Sequence, residues 1–183
     1  ERKLSKIDGL SESVLRGPSV IMNEVDRLVT MTTELLDFSR GDSNLDVEEV
    51  DFYEYLHDLV ENIQGRAEKD NIQINLKPVT EKIFLFIDKL KMQRVFLNLI
   101  NNAINYTGDD KQVYVTQKNL TDGVRIEIRD TGDGISEDKI KLIFDKYYRS
   151  ENHKREIVGT GLGLSIVKAI MESINGAYGV KNY

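Results

Sequence analysis

Asn98 and Asn102 stand four residues apart in Asn98-Leu-Ile-Asn-Asn102, a spacing that puts both amides on one face of a helix. Asn101 projects elsewhere, about 100° around the axis. An amide carbonyl is a hard oxygen ligand, suited to Mg²⁺ that already carries triphosphate oxygens and water. The plain alternative is a polar helix face, although helix propensity alone disfavours so many asparagines. A second group is Asp130-Thr-Gly-Asp-Gly134. The Asp130 carboxylate can accept a hydrogen bond from the exocyclic amine of adenine, and Gly132 and Gly134 let the backbone turn close beneath a base. Alone, it would read as a simple Asp-Gly turn, with Asp133 facing solvent. A third group is Gly159-Thr160-Gly161-Leu162-Gly163, read as opening a helix whose N–H groups favour an anion. It matches neither the Walker A loop nor the dinucleotide fingerprint, which argues against a P-loop ATPase and a nicotinamide enzyme. Between the second and third groups lie Lys146, Arg149, Lys154 and Arg155. These cations can offset triphosphate charge and stabilise transferring oxygens, or they form a solvated loop.

The elements that must position these residues can be read from apolar spacing. Residues 18–40 are helical, with Val25, Leu28, Thr32, Leu35 and Ser39 in heptad-like register. Such a face needs partners. Residues 42–50 are acidic and read as a linker. A helix over 52–68 carries Leu56, Leu59, Val60 and Ile63 on one side. Strands are expected at 72–76, 83–87, 113–115 and 124–129, the last two joined across Asp122-Gly123. Asp88 is the N-cap of the asparagine helix, which carries Leu90, Val95, Leu99 and Ile100 toward the core. A helix from 160 or 161 to 173 shows Leu164, Val167 and Ile170 on one side, and residues 177–183 are strand-like. This pattern implies an α+β two-layer sandwich, a mixed β-sheet covered by helices on one face.

Composition narrows the classes. The 183 residues carry a formal charge of −6, which argues against nucleic acid as partner but leaves room for ATP where local cations set the field. With no cysteine, disulfides, thiolate catalysis and zinc-thiolate sites are excluded. No apolar run approaches the roughly 20 residues of a membrane span, so any membrane anchor is expected in parts outside this chain.

Taken in order, the asparagine helix, the Asp130 turn, the Ile143-Phe144 segment and the Gly159–Gly163 turn resemble the ATP-binding domain of bacterial sensor histidine kinases, in family terms the N, G1, F and G2 boxes of the GHKL superfamily. The resemblance covers residues 51–183. More weakly, residues 18–40 resemble the second helix of the dimerisation hairpin. It implies a partial dimerisation region over 1–41, a linker over 42–50, and a catalytic domain over 51–183 with one final strand fewer than relatives carry. It implies ATP and Mg²⁺ as cofactors, with Asn102 the metal ligand, Asn98 its neighbour and a catalytic position, Asp130 the adenine reader, and Arg149 a catalytic cation. Tyr106, Gly132, Gly134, Lys146 and Gly159, Thr160, Gly161, Leu162 and Gly163 complete the nucleotide contacts. Asn105 stands where many relatives carry a basic residue.

The implied activity is transfer of the ATP γ-phosphoryl group to a histidine and onward to an aspartate of a response-regulator receiver domain. The implied setting is a cytoplasmic homodimer. The family's phosphoacceptor box is absent from these residues, and His57 and His153 read as surface or packing residues, so the chain as given should bind Mg-ATP without phosphorylating itself. Two alternatives stay open: a degenerate dimeric signalling scaffold, and a GHKL-type ATPase. The latter places a glutamate where this chain has Asn98, which cannot serve as a general base.

Overall fold

The computed structural model describes residues 45–148 and 161–183, together with Ile21, Val25 and Thr32. Contacts divide the chain into two units, residues 1–42 with 155–160, and residues 43–154 with 161–183. In the first unit the three described residues are helical, at positions inside the expected 18–40 helix. The rest of that expectation lies outside the described residues.

The second unit runs β1 (Glu48–Asp51), α1 (Phe52–Ala67), a 3-10 turn (Glu68–Asp70), β2 (Gln73–Leu76), β3 (Phe84–Ile87), α2 (Lys89–Tyr106), β4 (Gln112–Leu120), β5 (Gly123–Arg129), α3 (Glu137–Ile140) and α4 (Gly163–Ser173). β4 lies between β2 and β5, parallel to the first and antiparallel to the second. β1 and β3 form a separate antiparallel ribbon. The fold is thus α+β with a mixed sheet, as the sequence implies, plus a ribbon it did not announce. Among the described residues no helix is long and apolar enough to cross a membrane.

Helix α1 starts at Asp51, whose carboxylate faces the Glu54 N–H and is held at 2.8 Å by the Lys82 ammonium. That hydrogen bond holds the Asp51 carboxyl below its usual range. The apolar face of α1, Phe52, Leu56, Leu59, Val60, Ile63 and Ala67, is buried. It meets Ile74, Val113 and Val115 from the sheet, and Met92, Phe96, Ile100 and Ala103 from α2. Register explains the sheet's contribution. Ile74 pairs with Val113 and Leu76 with Val115, while Ile128 pairs with Val115, so alternate residues of neighbouring strands point to one face.

The structure departs from the sequence reading in four places. The linker assigned to 42–50 ends in strand β1, which pairs residue for residue with β3. Leu90 is exposed rather than in the core. The buried stripe of α2 is Met92, Val95, Phe96, Ile100 and Ala103, and at 100° per residue Leu90 falls off it. β4 extends to Leu120 because the hairpin with β5 continues down to the Leu120–Gly123 pair. Residues 177–183 form no strand. Side chains hold that segment instead: Tyr178 donates to Glu172 at 2.9 Å, and Tyr183 to Glu127 at 3.3 Å.

Candidate nucleotide site

Helix α2 presents its asparagines on a face beside the core stripe. Asn98 and Asn102 are both half-buried and Asn101 is exposed, as their spacing implies. Asn98 Nδ2 donates to the Arg94 carbonyl at 2.9 Å, which fixes the amide along its own helix. Its Oδ1 faces the start of α4, because a Cβ placed on Gly163 would lie 2.7 Å from it. The asparagine face and the third glycine turn are therefore in contact, and glycine at position 163 is what permits the approach.

The Asp130 turn reaches the same helix at its C-terminal end. β5 stops at Arg129, and Asp130 follows half-buried. Asp130 Oδ1 accepts the Gly132 N–H at 2.9 Å. That bond orients the carboxylate and leaves its second oxygen to accept from a ligand. A Cβ on Gly132 would run into the carbonyl oxygen of Tyr106, the last residue of α2, so the turn and the helix end touch backbone to backbone. Gly134 has φ +75°, and a Cβ there would also meet Asn182 Oδ1 at 3.0 Å.

The aromatic segment and Gly161 close on each other. Tyr147 N–H donates to the Gly161 carbonyl at 3.0 Å. Gly161 has φ +74° and would bring a Cβ within 3.0 Å of the Tyr147 backbone. Tyr147 itself sits at φ +64°, a left-handed conformation costly for a bulky side chain. Phe144 packs edge-on to Tyr178, with centroids 4.9 Å apart.

The remaining assigned positions fall out as follows. Tyr106 is exposed at the helix end and Lys146 is exposed on the turn preceding residue 147. The Leu162 side chain is buried, so any nucleotide contact from it comes from its backbone. Arg149, Gly159 and Thr160, with Lys154, Arg155 and His153, lie outside the described residues. His57 lies on α1, with Nε2 at 3.7 Å from Glu61 and its ring 6.1 Å from that of Tyr53, a surface role as expected.

Sequence reasoning missed the residues that lock these turns. Asn182 accepts the Ile135 N–H at 3.0 Å and donates to the Ile135 carbonyl at 2.6 Å. Nothing local could have flagged a contact 47 residues apart. Thr107, which caps α2 and is buried, donates its hydroxyl to the Gln112 carbonyl at 2.7 Å. A Gly immediately after that cap was the available signal.

The arrangement suits an adenine nucleotide with its metal. Gly132, Gly161 and Gly163 let the Asp130 turn, the aromatic segment and the start of α4 close on their neighbours around the asparagine face. No group of three or more His, Cys, Asp or Glu able to hold a metal occurs among the described residues. A metal here would depend on phosphate oxygens, water and an amide such as Asn102, which is how Mg²⁺ is commonly held.

Comparison with known proteins shows the family. Residues 87–182 match the family described as histidine kinase-, DNA gyrase B-, and HSP90-like ATPase. The sensor protein kinase WalK of Staphylococcus haemolyticus is 37% identical over 182 residues, covering 96% of this chain. The chain spans 29% of that relative's length. Full-length ShkA in complex with AMPPNP superposes with a TM-score of 0.74 at 25% identity, over 95% of this chain and 37% of ShkA. Histidine kinase ThkA in complex with the response regulator protein TrrA gives 0.73 at 25% identity, over 96% of this chain and 49% of that one. By its matched residues, the chain belongs to the histidine kinase-, DNA gyrase B- and HSP90-like ATPase family, and it carries the ATP-binding domain of the bacterial sensor histidine kinase type.

Proposed function

We propose that this chain is the catalytic, ATP-binding part of a protein-histidine kinase in two-component signalling. The observation that carries the reading is Asp130: one carboxylate oxygen is tied to the Gly132 N–H, and the turn is pressed against the end of the asparagine helix. Asp130 reads the adenine amine. The N-terminus of α4, beside Asn98, receives phosphate. Asn102 would hold Mg²⁺, which would supply charge neutralisation at the phosphates. Lys146 and Arg149 supply cationic charge to the triphosphate, and Gly159, Thr160, Gly161, Leu162 and Gly163 supply backbone N–H groups to it.

The γ-phosphoryl group passes from ATP to an imidazole nitrogen of a histidine, the P–O bond to ADP breaking as the P–N bond forms. It then moves to an aspartate of a receiver domain. The imidazole is the nucleophile, so this domain contributes positioning and charge rather than a covalent intermediate. Two solved relatives support the choice of ligand and partner: ShkA in complex with AMPPNP and ThkA in complex with a response regulator. The exposed apolar Ile21 and Val25 support a second copy of the chain as a further partner. The reading places the domain in the cytoplasm, where ATP is available, with any membrane anchor in other parts of the protein. Residues 1–41 act as part of the dimerisation region and 51–183 as the catalytic domain.

Calorimetric titration tests this directly. Mg-AMPPNP should bind, the guanine analogue should bind at least tenfold more weakly, and omission of Mg²⁺ should weaken the adenine analogue. Asp130→Asn should cost about tenfold or more, the loss of a hydrogen bond to a charged group. Equal affinity for the two bases, or an unchanged Asp130→Asn, would sink the adenine role.

A further inference from the structure

The Asp130 turn and the end of α2 are joined by more than the approach at Gly132. The Thr131 hydroxyl donates to the Asp110 carboxylate and accepts the Gly108 N–H at 3.3 Å. Its oxygen lies 3.1 Å from that of Thr107, whose own hydroxyl proton goes to the Gln112 carbonyl. The same Asp110 carboxylate accepts the Gln112 N–H at 3.3 Å. A Cβ on Gly108 would sit 2.5 Å from the Thr131 carbonyl oxygen. Thus the segment 107–110, which leads from α2 toward β4, holds Thr131 through both its hydroxyl and its backbone.

We propose that Asp110 and Thr131 are positioning residues for nucleotide recognition, pinning the Asp130 turn to the end of α2. The proposal rests on the nucleotide reading above. The Asp130 turn rests on Tyr106, and Asn102 and Asn98 lie about one and two helical turns back along α2. A ligand that spans the turn and the asparagine face needs them at a fixed separation, and the helix sets only one of them. The Thr131–Asp110 bond, with the Thr107 and Gly108 contacts, sets the other. Neither Asp110 nor Thr131 has to touch the ligand for this.

The distinction between positioning and plain stability is measurable. Adenosine engages only the base-reading turn, and can follow a turn that has shifted. Mg-AMPPNP must engage the turn and the asparagine face together, and loses when their separation relaxes. Thr131→Val keeps the side-chain shape and removes the hydroxyl. It should weaken Mg-AMPPNP about fivefold, the worth of about one hydrogen bond, while adenosine affinity stays within twofold. Thr131→Ser should restore Mg-AMPPNP binding, and Asp110→Ala, which removes the acceptor, should reproduce the selective loss. If Thr131→Val does not fold, the Asp110→Ala and Thr131→Ser titrations decide. Equal losses for both ligands, or no loss for either, overturn the positioning role. A wild-type chain that binds neither ligand overturns the nucleotide reading first, and this one with it.

Discussion

The helix–sheet core and the rim of turns around the asparagine face are built on different principles, although α2 belongs to both. In the core, side chains meet side chains. Phe96 packs edge-on to Phe52 with centroids 6.1 Å apart, and against Tyr55 at 6.3 Å, amid aliphatic residues from α1 and the sheet. In the rim, backbones meet backbones through Gly132, Gly108 and Gly161, and single hydrogen bonds fix their register. Burial of apolar area stabilises the first, at roughly 25 cal/mol per Å². The second buries little, so it contributes geometry more than stability. Stability and nucleotide affinity should therefore be separable by substitution within one helix.

The largest effect should come from the core. Phe96→Ala, at a residue 2% exposed, should lower unfolding free energy by about 3–5 kcal/mol, read from urea midpoints. Affinity of the folded fraction for Mg-AMPPNP should stay within about twofold, since the residue faces away from the rim. A large loss of affinity under conditions where the variant remains folded would erase the distinction between the two regions.

The next effect is on the opposite side of the comparison. Asn102→Ala should remove most of the Mg²⁺-dependent part of AMPPNP affinity, about tenfold or more for a lost metal ligand. Stability should be unchanged or rise by a few tenths of a kcal/mol, because alanine is the better helix former. Persistence of the Mg²⁺ dependence would remove Asn102 from the metal, and a loss of stability above about 1 kcal/mol would make the rim a structural element after all.

The same contrast decides what could be read in advance. The core follows periodicity, so Leu56, Leu59, Val60 and Ile63 are visible from spacing alone, and all four are buried. Leu90 misleads because one apolar residue in a first turn carries no phase information until the rest of the stripe is known. Pairing of β1 with β3 is invisible because its acidic residues, Glu48, Glu49 and Asp51, look like those of a linker. Within the rim, Asn98, Asp130 and Gly161 are visible as motif residues. Their locks, Asn182 on Ile135 and Asp110 on Thr131, are not. Each is a single polar side chain contacting backbone or a hydroxyl far away in sequence, and such contacts leave no periodic trace.

The smallest effect sharpens the core side through pH. The Tyr55 hydroxyl donates to the Lys89 carbonyl at 2.9 Å. Burial, with the Asp88 carboxylate adding to it, pushes the Tyr55 phenol up from 10.0 to about 12. The folded state therefore favours the neutral phenol. That stabilisation is fully present below about pH 10, where the unfolded chain is neutral too, and it is lost as pH rises from 10 through 12. Tyr55→Phe forfeits the hydrogen bond, about 1 kcal/mol at pH 8, but has no phenol to ionise. The wild type should thus lose its advantage as pH rises from 10 through 12, the gap between the two urea midpoints narrowing by less than the full shift would give because the phenol is half-buried and screened by water. Every other tyrosine and lysine titrates in both proteins and cancels from the difference. Parallel curves with a constant gap would mean that the phenol is as well solvated in the folded chain as in the unfolded one. The α1–α2 contact would then be open to water at Tyr55, and the dry core would begin only at Phe52 and Phe96.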